Sequence, residues 1–363
     1  MVQEKVTIIN PFKINIDPME RLLLVNFEGD PDTIYIGFEP QVFNDAIHGK
    51  GHLVIGWRRD GKVDVYHQPG LKLERQTFDI VGKGLATMVE CDFFEAHYEV
   101  NDVGVHASYN FKDVDNRQIV IKVNENNPKR RKPFGLLAPM GAAAENPSAM
   151  PLVLLHHFYF VRKKGTEIDI RIEDKVHKPD ELPLPMDGSK MLYTRYSPEP
   201  LIVTFNPNVN AEIIPLEVNL YQEKLSHAGY DYEFEWIKEQ PIIKRIICKN
   251  DTYPVTLFFK EGFFDIRSLK KDITMKGSFE IAGNPTVGSV KGHYTVKKDH
   301  NKTKITLVPS GGWKPRPTKL SLLFLYTVAK MFKNWPKTYE WTAYIQEKDE
   351  PVYHMQSVWK RTS

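Results

Sequence analysis

"HLVIGWRRDGKVDVYHQ", residues 52–68, sets two runs of largely alternating side chains on either side of Asp60-Gly61. Alternation flanking an Asp-Gly dipeptide marks two antiparallel strands, because that dipeptide accepts the positive φ values of a two-residue type I′ loop. Such a loop predicts Trp57 opposite Asp64 and Val54 opposite His67. A slip of one residue would exchange the faces of both strands.

The same texture extends along most of the chain. Runs such as "TIYIGF", "EAHYEV", "MLYTRYS", "LIVTFN", "YDYEFEWI", "YPVTLFF", "TKITLVP" and "TYEWTAYIQ" are rich in Tyr, Phe, Val, Ile and Thr, with Gly, Asn, Asp and Pro between them. Alternating helical patterns are missing, which predicts an all-β fold of antiparallel barrel or sandwich domains rather than a parallel α/β sheet. In "GVHASYNFKDVDNRQIVIKVNE", residues 104–125, a three-residue loop Val114–Asn116 pairs Phe111 with Ile119, Tyr109 with Ile121 and Ala107 with Val123. A two-residue loop would waste that apolar surface, and Asn116 tolerates the left-handed position the longer loop needs.

Between Asp174 and Pro200 stand Pro179, Pro183, Pro185, Pro198 and Pro200 with little periodicity. They predict two domains of similar size, residues 1–178 and 190–363. The hairpin "FKDVDNRQIVIKV" has a counterpart in pattern, though not in identity, in "YTVKKDHNKTKITLV", as a duplicated domain would leave. "KLSLLFLYTVAKMFKNW", residues 319–335, predicts one helix near 318–335 packed on the sheet. Its apolar core ends at Lys330, short of the ~20 residues a transmembrane helix needs, and contact with a membrane surface is the lesser alternative.

The 363 residues carry a net charge of +3 from 49 basic and 46 acidic side chains, a balance that points to no nucleic-acid partner. Two distant cysteines, Cys91 and Cys248, make no disulfide framework or zinc knuckle, and with no signal-peptide pattern at "MVQEKVTIINPFKINI" the expectation is a cytoplasmic protein. The segment "FDIVGKGLAT" offers Gly82-x-Gly84, but Thr87 takes the third glycine position and strand follows where a dinucleotide site needs a helix. "DVDNRQ" puts Arg117 where a calcium loop needs an oxygen, and the histidines lack metal-ligand spacing. No cofactor and no metal are expected. "NNPKRRKP", residues 126–133, reads as a solvated turn before the small-residue loop that follows, with an anchor for an anionic head group as the alternative.

One strand carries the candidate chemistry. In "LVLLHHFYFVRKKGTEIDIRI", residues 152–172, a three-residue loop Lys163–Gly165 would pair Phe160 with Ile168, Phe158 with Ile170 and His156 with Ile172. His156 then points inward beside Phe158 and Phe160, and His157 outward with Tyr159, Asp169 and Arg171. A buried imidazole is either a satisfied core group or a neutral base that orients a guest. Its candidate proton partners are His106, Glu125, Asp64 and His67. With His156 as the catalytic candidate, the ligand-binding candidates are Phe158, Phe160, Trp57, Tyr66, His67 and His106.

With two β domains of similar length, aspartate- and asparagine-turned hairpins such as "FKDVDNRQIVIKV", and no cofactor motif, the chain resembles the two-domain lipocalin-like proteins related to carotenoid 1,2-hydratase. The resemblance lies in layout and carries over no catalytic residue. It implies cavities for hydrophobic or polyketide-like molecules and, in some members, hydration or cyclisation without a metal. Locally, "LHHFYFV" is similar to the histidine-plus-aromatic strand of aldose epimerases, although the second histidine and the glutamate of that pattern are missing. Three functions therefore stand: a binder of a small hydrophobic or amphipathic molecule, with isomerase or hydratase chemistry at His156; a carbohydrate-binding sandwich using Trp57 and Tyr66; and a structural protein with a filled interior.

Overall fold

The computed structural model describes residues 4–75, 84–138, 147–271, 273–312, 336–348 and 352–362. Strand dominates, and among the described residues the one helical element is a 3-10 turn at Ile266–Ser268. The helix expected near 318–335 lies outside the described residues, as do residues 139–146 of the small-residue loop and Gly82. Contacts group the chain into two units, one of residues 18–136 and 155–202, the other of residues 1–17, 137–154 and 203–363.

The first unit is a sandwich. Its smaller sheet is antiparallel, in the order Lys175–His177, Thr166–Ile172, Gln118–Glu125, Val105–Lys112, Glu95–Val100. The expected register of its central hairpin is the observed one, with Phe111 opposite Ile119, Tyr109 opposite Ile121 and Ala107 opposite Val123. Asn116 takes φ 63°, and the Asp113 carboxylate accepts the Asp115 and Arg117 N–H groups at 3.0 and 2.8 Å. Of the larger sheet, this unit holds Glu199–Phe205 as far as residue 202, Met150–Arg162 from residue 155, then Met191–Ser197, Arg21–Asn26, Tyr35–Asp45, Gly49–Arg58, Val63–His67 and Leu85–Glu90, with Phe134–Ala138, as far as residue 136, beside Met150–Arg162. Its last pair, Val63–His67 with Leu85–Glu90, is parallel, a departure from the antiparallel expectation. Rings from the two inner faces meet at Tyr66–Phe111, 4.9 Å between centroids, and His52–Tyr109, 5.6 Å.

Two expected registers are corrected. In the 52–68 hairpin, Gly61 alone has positive φ, at 81°, and Arg58 N–H donates to Lys62 O at 3.1 Å. The Asp60 carboxylate accepts the Lys62 N–H at 3.0 Å, so the loop takes three residues, Arg59 to Gly61. Trp57 therefore opposes Val63, and Val54 opposes Tyr66. That single step sends Asp64 and Tyr66 to the interior, on the face opposite Trp57.

The histidine strand forms no hairpin with its successor. Ile168, Ile170 and Ile172 pair instead with Val123, Ile121 and Ile119 in the smaller sheet, completing an apolar row. Met150–Arg162 is buried on both faces along most of its length, a pattern that suits a strand inside a sheet, and it pairs with Met191–Ser197. Gly165 does adopt the left-handed φ, 80°, at the turn where the chain passes from one sheet to the other.

The second unit is built on a ten-stranded antiparallel sheet, from Asn210–Ile213 at one edge through Tyr353–Arg361 and back along the sequence to Lys224–His227, and also holds the antiparallel pair Lys5–Ile8 with Leu216–Asn219. The hairpin compared above with Phe111–Val123 closes here with two residues, His300-Asn301, between Asp299 and Lys302. The chain's own Phe12 packs on this sheet against Phe259, Phe263 and Trp341, at 4.9, 4.8 and 6.1 Å. Tyr230 Oη donates to Ile14 O at 2.6 Å and fixes the segment further.

Candidate functional site

The face of the larger sheet turned away from the smaller sheet, buried over most of its rows, gathers the groups that matter. Alternation and register place Gly37, Glu39 and Gln41 on it, opposite Trp57, Ile55 and Leu53, which oppose Val63, Val65 and His67 in turn. On the other side Asn26 opposes Gly37, Leu22 opposes Gln41, and Arg195 joins through Leu24, with Phe160 opposite Arg195. The row with Asn26, Gly37 and Trp57 is half-buried at Asn26 and Trp57, whereas Gln41, Leu53 and His67 are buried. Glu39, 6% exposed, lies one row beneath this more accessible margin. Gly37 leaves no side chain between Asn26 and Trp57, and a Cβ there would stand 3.0 Å from Val25 O.

Glu39 is held at both oxygens. Gln41 Nε2 donates to Oε1 at 2.7 Å, and the Trp57 indole N–H donates to Oε2 at 3.1 Å from its diagonal cross-strand position. Burial nevertheless pushes its carboxyl up to about 7, against the opposing pull of Gln41, the Arg195 charge and Trp57. Arg195 Nη1 donates to Asn26 Oδ1 at 2.6 Å and to Tyr193 O at 3.0 Å, and its guanidinium lies 4.4 Å from the Tyr193 ring centroid. Burial lowers the Arg195 pKa, with Tyr193, Glu39 and Glu28 working against that shift. Tyr193 stacks on Phe160, 6.2 Å apart at 19°, and Phe160 continues to Phe158, 5.3 Å, and so to Phe134. One face thus joins an aromatic run to a buried acid and a cation, an arrangement able to hold a molecule with an apolar body and a polar end.

The sequence-derived candidates are dispersed. Trp57, Phe160 and His67 share this face, and Phe158 adjoins it, but His67 sits in the buried row with Nδ1 on Gln68 O at 3.1 Å. Tyr66 belongs to the sandwich interior: its hydroxyl accepts from Val114 N–H at 3.3 Å and lies 2.7 Å from Tyr35 Oη, which donates to Asp64 Oδ2 at 3.0 Å. Since Asp64 also takes Arg58 Nη1 at 2.9 Å, the hydroxyls point in sequence toward that carboxylate. His106 is in the other sheet, with Nδ1 on Asn124 Oδ1 at 2.6 Å.

His156 is buried, 2% exposed, and His157 is exposed, as expected. His156 Nδ1 stands 2.9 Å from Glu199 O; a carbonyl only accepts, so Nδ1 carries the proton and Nε2 the lone pair. Burial lowers its pKa and favours this neutral form. Ser197 Oγ donates to the His156 carbonyl at 2.5 Å, and His157, at φ 50°, places Nε2 3.6 Å from Glu199 Oε2. The partners proposed for His156 are engaged elsewhere, with Glu125 Oε1 accepting the Arg162 N–H at 3.2 Å.

The sequence reading missed Glu39, Gln41, Asn26, Tyr193 and Arg195. A signal was present in "YIGFEPQVF", where Glu and Gln stand two apart inside an apolar run. Pro40 concealed it, because proline inside a run argues against a central strand. Among the described residues no group of three or more His, Cys, Asp or Glu is placed to hold a metal ion, and no helix is long and apolar enough to cross a membrane. No known protein family, curated protein or solved structure matches this chain.

Proposed function

We propose that the first unit binds a small amphipathic molecule on the face built by Trp57, Glu39, Arg195, Tyr193 and Phe160. The observation that carries this reading is the buried Glu39 carboxyl, tied to the Trp57 indole and placed beside a cation at the end of an aromatic run. A buried acid with a raised pKa is costly and is kept where it meets a ligand or a proton. Near neutral pH Glu39 exchanges a proton readily, so it is the acid–base group through which isomerase or hydratase chemistry would run; His156, hydrogen-bonded to the backbone, supports the strand. The lipocalin-like likeness agrees with a bound apolar guest, and the two free thiols suit a reducing cytoplasm.

The test is displacement of a dye that fluoresces in apolar surroundings. Aryl-alkyl alcohols should displace it from the native protein, a monosaccharide should not, and Phe160→Ala should weaken the alcohols by roughly tenfold, the scale of one lost aromatic contact. Saturation by the sugar with no effect of the alcohols would replace this reading with the carbohydrate-binding one.

A further inference from the structure

We infer that the guest carries a single carboxylate, which takes over from Glu39 as the counter-charge of Arg195 while Glu39 accepts one proton from solvent. This rests on the reading above, that the face holds an amphipathic molecule, and adds the chemistry of its polar end.

Arg195 is a cation whose hydrogen bonds go to neutral groups. Its Nη1 hydrogen bonds go to the neutral Asn26 Oδ1 and Tyr193 O and not to a carboxylate. Glu39 and the exposed Glu28 act on it as nearby charges only. A guanidinium so placed keeps N–H donors for an incoming oxygen, and a carboxylate matches the fork of those donors. Glu39 is anchored by neutral donors, Gln41 and Trp57, so it stays in place in either protonation state. Protonated, it becomes an O–H donor toward a second carboxylate, which accepts from Arg195 and Glu39 together. Ionised, it repels that carboxylate.

Charge counting selects a monoanion. On the strands flanking Glu39, Leu22, Leu24 and Asn26 on one side and Leu53, Ile55 and Trp57 on the other bring no ionised group to this face. Val63–His67 brings His67 in the buried row, Met191–Ser197 brings Tyr193 and Arg195, and Phe160 is apolar. Glu28 reaches the site through Asn26, whose Nδ2 donates to Glu28 Oε1 at 3.3 Å. Glu28 is exposed and its charge is met by water, so within the buried part of the face one guanidinium and one neutralisable carboxyl balance one negative charge; a dianion would bury an excess charge. The half-buried Tyr193 ring, backed by the buried Phe160, Phe158 and Phe134, takes the apolar body. The raised proton affinity of Glu39 means that the proton is available near neutrality.

The probes are 4-phenylbutyrate, ionised across the range used, and its neutral analogue 4-phenylbutanol, titrated calorimetrically at pH 6 and pH 8 in buffers of different ionisation heat. The acid should bind about tenfold tighter at pH 6 than at pH 8, with most of one proton taken up per guest at pH 8. Glu39→Gln should bind the acid equally at both pH values with no proton uptake. Arg195→Met should lose the preference for acid over alcohol, and Arg195→Lys should restore part of it, circular dichroism confirming that each variant is folded. If the alcohol binds and the acid gains nothing at pH 6, or if Arg195→Met keeps the acid preference, this inference is overturned and the amphipathic-guest reading survives. If neither probe binds the native protein, both fall.

Discussion

Glu39 sets the terms at the scale of one residue, because its carboxyl near pH 7 stands well above the value of about 4.5 that it has when unfolded. The folded state therefore binds the proton more tightly than the unfolded chain, and the contribution is full below pH 4.5 and lost as pH rises through 7. Between pH 5 and 8 the wild type should lose about 2 to 3 kcal/mol relative to Glu39→Gln, which has no such proton to give up. Denaturant unfolding of both proteins at intervals across that range checks it, and parallel curves would refute the raised carboxyl. The neighbouring Gly56 makes a second demand: a Cβ there would stand 2.7 Å from the Tyr35 ring, which lies across it on the way to Asp64. Gly56→Ala should cost about 1 to 3 kcal/mol by displacing that ring, measurable as a lower unfolding midpoint.

Among elements, two turns carry the same backbone demand in different surroundings. Gly61 and Gly165 have φ near 80°, but a Cβ on Gly61 meets nothing within 4 Å, whereas on Gly165 it comes 2.6 Å from Asn126 O. Gly61→Ala should therefore cost about 1 kcal/mol, the left-handed penalty alone, and Gly165→Ala about 3 kcal/mol, because the backbone oxygen cannot move aside cheaply. Equal losses in thermal unfolding would show that the crossing turn is not pinned. These elements also mark what sequence reveals. The 105–125 hairpin was legible because Asn116 and the wasted apolar surface of the alternative loop both favoured one register. The 52–68 hairpin was legible as a hairpin but not in register, since Asp-Gly serves two loop lengths and the Asp60 carboxylate decided between them. Pairing across sheets left no local mark: nothing in "TEIDIRI" says that its isoleucines will meet Ile119, Ile121 and Val123 rather than the strand just before it. The site suffered the same way, for Glu39 and Arg195 are far apart in sequence and share a face only because the intervening strands stack in order.

For the molecule as a whole, an all-β architecture was legible from period and composition, while the assignment of segments to units was not, because residues 1–17 and 137–154 contact residues 203–363 across long separations. Phe12 shows what such a contact is worth. It is 5% exposed, far in sequence from every ring it touches, and lodged among Phe259, Phe263 and Trp341. Truncation removes the transfer energy of a ring and leaves a void between side chains that are themselves fixed in strands, so Phe12→Ala should cost about 3 to 5 kcal/mol. The loss should appear as faster amide exchange in Val255–Phe264 and Tyr339–Glu347, the strands that bear the three partners. Phe12→Leu should recover most of it, since a branched aliphatic side chain refills much of the space. Unchanged exchange in those strands after Phe12→Ala would mean that the ten-stranded sheet keeps its inner packing without the chain's own N-terminal segment, and that the segment rests on the sheet rather than holding it together.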